Sequence, residues 1–197
     1  VYTLSELKEL CDFVHSKGLL VHMDGARISN AAATLNCSLA QTTCQVGVDV
    51  LSFGGTKNGL MFGEAVIFFN RELSAQTPFI RKQSAQLHSK MRFVAAQFSA
   101  FLTNELWRKN ALHANIMAVI LAMEASKIHG VTITQKVEAN GVFAIIPQAW
   151  IAQLQQEFFF YVWDESKSEV RWMTSFDTTQ DDIATFVSLL KQLSGNI

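Results

Sequence analysis

One lysine of this sequence lies where a side chain can take part in chemistry. Lys57 is in the middle of residues 52–59, SFGGTKNG, between the apolar runs of residues 48–53 and 65–69. Both runs are typical of buried strands, and the glycines between them permit a tight turn and the close approach of a flat ligand. A lysine in a partly dry turn loses charge through desolvation, and a neutral amine can form a Schiff base with a carbonyl. The octapeptide is equally compatible with a solvated lysine in a glycine-rich turn, and it does not meet the phosphate-loop pattern.

A second polar group follows another predicted strand. The apolar residues 19–23 run into Asp24, and Arg27 comes three residues later. Open α/β sheets bind ligands at the carboxyl ends of their strands, so we expect Asp24 and Lys57 to face one crevice. The alternative interpretation is that Asp24 caps the next helix and that Arg27 pairs on the surface of that helix.

Together these groups match the needs of one cofactor. A lysine that forms a Schiff base and an acid beside a pyridinium nitrogen are the protein groups that pyridoxal 5′-phosphate (PLP) requires. The acid, Asp24, keeps the ring nitrogen protonated, and Lys57 holds the cofactor. Arg27 brings a cation that can meet the ring hydroxyl or a substrate carboxylate through charge-assisted hydrogen bonds.

The order of the predicted elements indicates an α/β fold. A helix, a strand, two short helices (residues 28–36 and 38–45), two strands and a helix (roughly 71–83) are typical of part of a doubly wound large domain, which we place at residues 1–130. Residues 131–197 are predicted to form a small α+β domain.

Two further helices are predicted at residues 91–110 and 111–129. The second is apolar on nearly all sides over residues 116–123, but the run is too short for a membrane span and polar residues flank it. We expect this helix to be buried between layers or subunits.

Composition excludes several classes of protein. The chain has 197 residues, of which 49% are hydrophobic and 17% charged, so a globular protein is expected. A formal net charge of −1 gives no electrostatic basis for binding nucleic acid or an anionic membrane. Three cysteines without metal-ligand spacing predict no metal site and a reduced, cytoplasmic setting.

The beginning of the sequence also carries information. It starts at Val1 without a methionine, and a capping box at residues 3–6 opens a helix almost at once. We therefore expect the chain to be a piece of a longer protein.

The two polar segments resemble a known family. Residues 22–27, HMDGAR, followed by Asn30 and Ala31, resemble the H-x-D-G-A-R segment of the threonine aldolases, which belong to the β-eliminating lyase group of fold-type-I PLP enzymes. Residues 52–59 are similar to the lysine segment of the branch with low-specificity threonine aldolases and phenylserine aldolase. Many other members carry a shorter S-K-G-L-G there. The resemblance runs through residues 1–177 in order.

The resemblance implies a role for each matching residue. Lys57 matches the lysine that holds PLP, Asp24 matches the partner of the pyridine nitrogen, and Arg27 matches the arginine near the ring hydroxyl and substrate carboxylate. Arg92 matches the arginine that reaches the cofactor phosphate of a neighbouring subunit, although residues 88–90, HSK, replace the usual glycines there.

Arg171 matches the small-domain arginine that binds the substrate α-carboxylate. It alternates with Val170 and Trp172, so on a strand it points off the opposite face. A solvated edge residue is the alternative for Arg171.

The implied activity is PLP-dependent retro-aldol cleavage of L-threonine or related β-hydroxy-α-amino acids to glycine and an aldehyde, in a homodimer or homotetramer with shared sites. One alternative is another fold-type-I lyase, such as an aromatic amino acid β-eliminating enzyme, which would release pyruvate and ammonia. The other is an inactive piece that associates through the helix of residues 111–129. The family's ring-stacking histidine and glycine-rich phosphate cup have no match in the sequence, so we expect residues 1–197 alone to lack a competent site.

Overall fold

A computed structural model of the chain describes residues 1–195. The chain folds into two compact units, and the boundary between them in the sequence falls between Asn110 and Ala111. Each unit is described by itself below.

The first unit contains a three-stranded sheet and four helices. The helices are α1 (Leu4–Ser16), α2 (Ile28–Thr34), α3 (Thr77–Gln83) and α4 (Met91–Leu102), and the strands are β1 (His22–Gly25), β2 (Val50–Gly54) and β3 (Glu64–Phe68). The strand order is β1-β2-β3, with β1 parallel and β3 antiparallel to β2. Single 3₁₀ turns lie at Cys44–Val46, Thr56–Asn58, Arg71–Ser74 and Thr103–Glu105.

Strand alternation gives this sheet a packed face and an open face. Leu51 and Phe53 of β2 are each 3% exposed and pack with Ile28 and Phe101 in the core of the unit. On the other face Val66 is 60% exposed. Because side chains alternate between faces along a strand, the open face also carries His22, Asp24 and Ser52.

The second unit is an antiparallel sheet with helices. The helices are α5 (Leu106–Ala125, most of whose length lies in this unit), α6 (Gln148–Glu157) and α7 (Gln180–Ser194), and the strands are β4 (Thr132–Ile133), β5 (Gly141–Ile145), β6 (Tyr161–Asp164) and β7 (Glu169–Met173). The strand order is β4-β5-β7-β6. Its core joins the inner face of the sheet to all three helices through buried residues such as Val142, Trp172, Leu121, Leu154 and Leu190. The predicted α/β class, with an α+β carboxyl-terminal part, is confirmed.

The capping box at the start of α1 is present as predicted. Thr3 Oγ1 accepts a hydrogen bond from the backbone N–H of Glu6 at 3.2 Å, and the N–H of Thr3 donates to Glu6 Oε2 at 2.7 Å. The reciprocal bonds satisfy donors that would otherwise be unpaired in the first turn, which fixes the point where the helix begins.

The break between the two long helices was predicted in the wrong place. The sequence pattern indicated helices at 91–110 and 111–129, but α4 ends at Leu102 and α5 runs from Leu106 to Ala125. Asn104 has φ +51° and Glu105 has φ +54°. A left-handed residue cannot continue a right-handed helix, and asparagine adopts that conformation at lower cost than most residues.

Two other helix predictions were also wrong in part. The segment 38–45 forms turns in place of a helix, and its hydroxyls bond back to the backbone: Thr42 Oγ1 and Thr43 Oγ1 donate to the carbonyl of Leu39 at 3.0 and 2.7 Å. Such local bonds compete with helix formation. The helix predicted from residue 71 begins only at Thr77, because a 3₁₀ turn precedes it.

Helix α5 packs into the second unit on one side only. Met117, Leu121 and Ala125 are at most 5% exposed and belong to the core there, so this unit begins well before residue 130. The opposite side carries apolar side chains that are 45–54% exposed: Leu112, Ile116, Val119 and Met123. The assignment of residues 111–130 to a PLP-binding domain, and the burial of α5 between subunits, stay predictions.

No helix within residues 1–195 has the length and hydrophobicity needed to cross a membrane.

Candidate active site

Asp24 and Lys57 follow neighbouring parallel strands of the first unit. In the register of β1 and β2, Asp24 pairs with Ser52 and Gly25 with Phe53. Strand β2 ends at Gly54, and Lys57 lies in the 3₁₀ turn Thr56–Asn58 directly beyond it. The carboxyl ends of parallel strands lie at the same edge of a sheet, so both side chains belong to one edge.

Two glycines bring the segments after these strands into direct contact. A Cβ atom on Gly54 would lie 2.4 Å from the carbonyl oxygen of Ala26 and 2.6 Å from its Cα. A Cβ on Gly25 would lie 2.8 Å from the carbonyl oxygen of Ser52. Real Cβ atoms do not come so close to backbone, so only glycine allows the chain after Asp24 to pack against the chain before Lys57.

The Asp24 carboxylate lies on the open face of the sheet. Its Oδ1 accepts a hydrogen bond from the N–H of Ala26 at 3.0 Å, which makes an Asx-turn. The interpretation of Asp24 as a helix cap was wrong, since the N-cap of α2 is Arg27 and no side chain caps that helix. Within residues 1–195 no other group bonds to this exposed carboxylate, so Oδ2 is open to a ligand.

A histidine and a serine flank Asp24 on the same face. His22 Nε2 lies 2.9 Å from Ser52 Oγ, within hydrogen-bonding distance. Ser52 is the residue opposite Asp24 in the parallel register. The sequence alone did not indicate this contact, because Ser52 lies on a different strand from His22.

The turn that carries Lys57 is fixed on both sides of the lysine. Thr56 Oγ1 accepts the N–H of Gly63 at 2.9 Å. Asn58 is 2% exposed, and its Nδ2 donates to the carbonyl of Trp107 at 2.8 Å. Asn110 Nδ2 donates to the carbonyl of Asn58 at 2.9 Å. These side chains hold the backbone of residues 56–58, which orders the base of the lysine side chain.

The side chain of Lys57 itself is exposed. Within residues 1–195 its amine makes no hydrogen bond and no ion pair. Of the two alternatives for this lysine, the solvated one describes residues 1–195: Asn58 beside it in the turn is buried, and the lysine points to solvent.

The three arginines singled out in the sequence lie in different surroundings. Arg27 is half-buried, and its Nε is shielded from solvent at the start of α2, directly after the Asx-turn of Asp24. Arg92 is exposed in the first turn of α4. Arg171 belongs to the second unit, in the middle of β7.

Arg171 has the direction that strand alternation predicted. Its neighbours Val170 and Trp172 are 0% and 3% exposed and face the core, so Arg171 points off the opposite face. There its guanidinium carbon lies 4.8 Å from the ring centroid of Trp163 and 5.5 Å from that of Tyr161.

The first unit supplies a donor set that fits PLP. An unbonded carboxylate oxygen and an unbonded amine follow adjacent strands, and the glycine contact packs the segments that carry them against each other. An acid for a ring nitrogen and an amine for a carbonyl carbon are the groups this cofactor needs. Within residues 1–195 no three His, Cys, Asp or Glu side chains are placed to hold a metal ion.

Several supporting residues were missed by the reading of the sequence. Thr56, Asn58 and Asn110 order the lysine turn, but Asn58 and its partners lie far apart in the chain. The one available signal was the position of an asparagine and a threonine directly beside the lysine in a glycine-rich turn.

Comparison with known proteins identifies the family to which this chain is similar. Residues 1–149 match the family model of the beta-eliminating lyases. A low-specificity L-threonine aldolase of Pseudomonas aeruginosa is 43% identical over 178 residues, which cover 90% of this chain and 51% of the relative. One from another Pseudomonas strain is 41% identical over 180 residues, covering 91% and 52%. The chain thus spans about half the length of the curated relatives it matches.

Solved structures show the same fold. Threonine aldolase of Leishmania major superposes with a TM-score of 0.87 at 28% identity, covering 98% of this chain and 57% of that one. A structure from Exiguobacterium, described as a putative aromatic amino acid beta-eliminating lyase/threonine aldolase, gives a TM-score of 0.73 at 17% identity with the same coverage, and it shows the fold alone.

Proposed function

The chain belongs to the beta-eliminating lyase family, and from this membership we propose that the full-length protein uses PLP to cleave L-threonine and related β-hydroxy-α-amino acids to glycine and an aldehyde. The observation that carries the proposal is the edge of the first sheet, where Asp24 and Lys57 follow adjacent parallel strands with Gly54 against Ala26. The curated relatives described above, both low-specificity L-threonine aldolases, support the choice of reaction.

Four residues of this chain would hold the cofactor, three of them in their own subunit and Arg92 in a neighbouring one. Lys57 provides the amine for covalent attachment at the carbonyl carbon of the cofactor. Asp24 holds a proton at the ring nitrogen by its negative charge. Arg27 meets the ring hydroxyl, and Arg92 is assigned to the phosphate in a neighbouring subunit. When bound, PLP supplies an electron-accepting ring that makes the bonds at the substrate Cα labile.

The arginines also orient the substrate. A guanidinium binds a carboxylate through two parallel N–H···O bonds, which fixes both position and rotation. Arg171, assisted by Arg27, thereby holds the α-carboxylate, so that the Cα–Cβ bond and no other bond at Cα is set for cleavage. The membership of Arg171 in this site is part of the proposal, since it rests on the family resemblance and on the outward direction of its side chain.

Partners and location follow from the same reasoning. We expect a homodimer or homotetramer with shared sites, and the exposed position of Arg92 suits a contact across subunits. A cytoplasmic location is supported by the three cysteines, none of which forms a disulfide within residues 1–195.

The test is product analysis with the full-length protein. With PLP and L-threonine, glycine and acetaldehyde are expected in equal amounts, and the Lys57→Ala variant should form neither above background. Release of a 2-oxo acid with ammonia in place of glycine would show that the protein is a different kind of lyase.

A further inference from the structure

The face of the second sheet that points away from its core carries a group of aromatic rings around Arg171. In the strand register, Arg171 on β7 lies between Phe143 on β5 and Tyr161 on β6. Tyr161 and Trp163 are 55% and 54% exposed, which is unusual for large rings in a folded unit. We call these two side chains the aromatic pair.

The guanidinium of Arg171 lies over both rings of the aromatic pair. The guanidinium carbon lies 4.8 Å from the Trp163 centroid and 5.5 Å from the Tyr161 centroid, both within cation–π range. Each ring is itself held by another ring. Phe143 contacts Trp163 edge-to-face with 5.3 Å between centroids, and Phe159 contacts Tyr161 with 5.1 Å between centroids.

The polar edge of this guanidinium is not used by the protein. Within residues 1–195 the buried Nε of Arg171 has no hydrogen-bond partner, and Arg171 forms no ion pair. The carboxylate nearest in sequence on the same side of β7, Glu169, accepts a hydrogen bond from Thr134. An arginine stacked on rings, with its N–H edge unpaired, is prepared for a planar carboxylate.

We propose that Trp163 and Tyr161 are positioning residues that hold Arg171 in the orientation in which it binds the substrate α-carboxylate. The inference rests on the proposed function, in which Arg171 contacts that carboxylate. Without the rings, a long arginine side chain samples many rotamers, and binding then has to order it.

A purely structural role does not explain the pair. The ring of β7 that supports the core is Trp172, which is 3% exposed and packs against Phe186 with 5.0 Å between centroids. Trp163 and Tyr161 lie on the opposite, solvent-exposed side. Removing either ring therefore costs little stability but releases the guanidinium.

The test uses the full-length holoenzyme with Trp163→Leu and Tyr161→Leu. Loss of one ring should raise the KM for L-threonine about fivefold, because this factor corresponds to the energy of one partly exposed cation–π contact. The kcat should stay within about twofold of the parent value. Trp163→Phe keeps a ring and should restore most of the affinity.

Inhibition constants of two threonine analogues give a second readout. 3-Hydroxybutanoate keeps the carboxylate but lacks the amino group, and 1-amino-2-propanol lacks the carboxylate. In the leucine variants, the inhibition constant of 3-hydroxybutanoate should rise by the same factor as KM. The inhibition constant of 1-amino-2-propanol should stay unchanged. Equal weakening of both analogues would indicate general loosening of the site and would overturn the proposal.

Two further variants keep the outcomes apart. Phe176→Leu removes a part-exposed ring of the same unit that forms no ring contact with Arg171, and it should leave KM unchanged. Arg171→Gln should raise KM strongly. If Arg171→Gln raises KM but the leucine variants do not, the positioning role is wrong and the proposed function stands. If Arg171→Gln has no effect, the assigned role of Arg171 is wrong, and the positioning role falls with it.

Discussion

Asp24 gives the sharpest prediction at the scale of single residues. In Asp24→Asn the amide can still contact the ring nitrogen, but it has no charge to keep that nitrogen protonated. We therefore expect the full-length variant to bind PLP with an affinity close to that of the parent, while kcat falls on the order of 100-fold. Cofactor titration and steady-state kinetics with L-threonine measure the two effects. Equal kcat values would exclude the role of Asp24 in proton retention.

A second residue, Asp49, contributes to stability away from the candidate site. Its Oδ2 lies 2.8 Å from His15 Nε2 and accepts the N–H of Val21 at 2.8 Å. Partial burial raises the pKa of this carboxyl, but the bonds from Val21 and His15 outweigh it and hold the pKa below its ordinary value. A lowered pKa in the folded state stabilises the fold above the unfolded-state pKa, and the stabilisation is lost as the pH falls through the folded value.

We predict that Asp49→Asn lowers the free energy of unfolding by about 1.5 kcal/mol at pH 6, as expected for hydrogen bonds to a charged group. The difference between variant and parent should shrink below about pH 4, the ordinary range of an aspartate pKa. Urea unfolding of both proteins between pH 3 and 7 tests this. A difference that does not change with pH would mean that the charge of Asp49 contributes nothing.

The residues of the candidate site were easier to predict from the sequence than their hydrogen-bond partners. The sequence alone singled out Lys57, Asp24 and Arg27, because lysine, acid and arginine next to glycines and strands are recognisable locally. It did not reveal that Asn58 bonds to Trp107, since that contact depends on the tertiary path of α5. The sequence also left open whether Lys57 is desolvated or solvated, and the structure shows it exposed.

At the scale of elements, the contact of Gly54 with Ala26 is the feature that joins the two polar segments. In Gly54→Ala the new Cβ would meet backbone atoms at 2.4–2.7 Å, and backbone cannot move aside as a flexible side chain can. We predict a loss of about 1–3 kcal/mol in the free energy of unfolding, the usual cost of overpacking, together with reduced cleavage activity of the full-length protein.

Gly195→Ala is the matched control for this substitution. The nearest atom to its Cβ is the carbonyl oxygen of Lys191 at 3.6 Å, an ordinary contact. This variant should keep the stability and activity of the parent. If both alanine variants behave alike, the close packing of Gly54 does not matter for the site.

Helices and strands with a clear hydrophobic periodicity were predictable from the sequence. Turns and helix ends that depend on local backbone conformation and hydrogen bonds were not. Strands β1 and β2 follow from their apolar runs, with ends shifted by a few residues, although β1 is mostly exposed. The helix break depends on two successive left-handed residues, Asn104 and Glu105, and the turns at 38–45 depend on hydroxyl bonds to the backbone. A hydrophobic pattern records neither of these features.

At the scale of the whole molecule, we expect the chain to provide only some of the groups that a PLP site needs. A cofactor phosphate requires several converging backbone N–H groups, usually at the start of a helix after a glycine-rich turn. Within residues 1–195 the glycine-rich turn at 54–59 leads into a single 3₁₀ turn that carries Lys57. The chain spans about half the length of the curated relatives that it matches.

We therefore predict that residues 1–197 alone, with PLP added, cleave L-threonine at least 100-fold more slowly than the full-length protein, since removing even one preorganised group at a reacting centre costs on the order of 100-fold. The measurement is acetaldehyde release by both proteins at equal concentration. Comparable turnover by the isolated chain would show that the phosphate is held by residues described here.

The fold class was predictable at this scale, while the limits of the compact units were not. The α/β order of elements follows from the periodicity, but the packing of α5 into the second core is decided by residues such as Met117 and Leu121, which the sequence could equally have placed in the first unit. One side of α5 is apolar and exposed, and its burial between subunits stays a prediction.

The central claim is that Lys57 carries the cofactor, and the most direct measurement locates the attachment. The full-length protein is loaded with PLP, reduced with borohydride and digested, and the modified peptide is identified by mass spectrometry. Modification of Lys57 is predicted, with loss of both the label and the visible cofactor absorbance in Lys57→Ala. Label on another lysine, or an unchanged absorbance band in Lys57→Ala, would contradict the account.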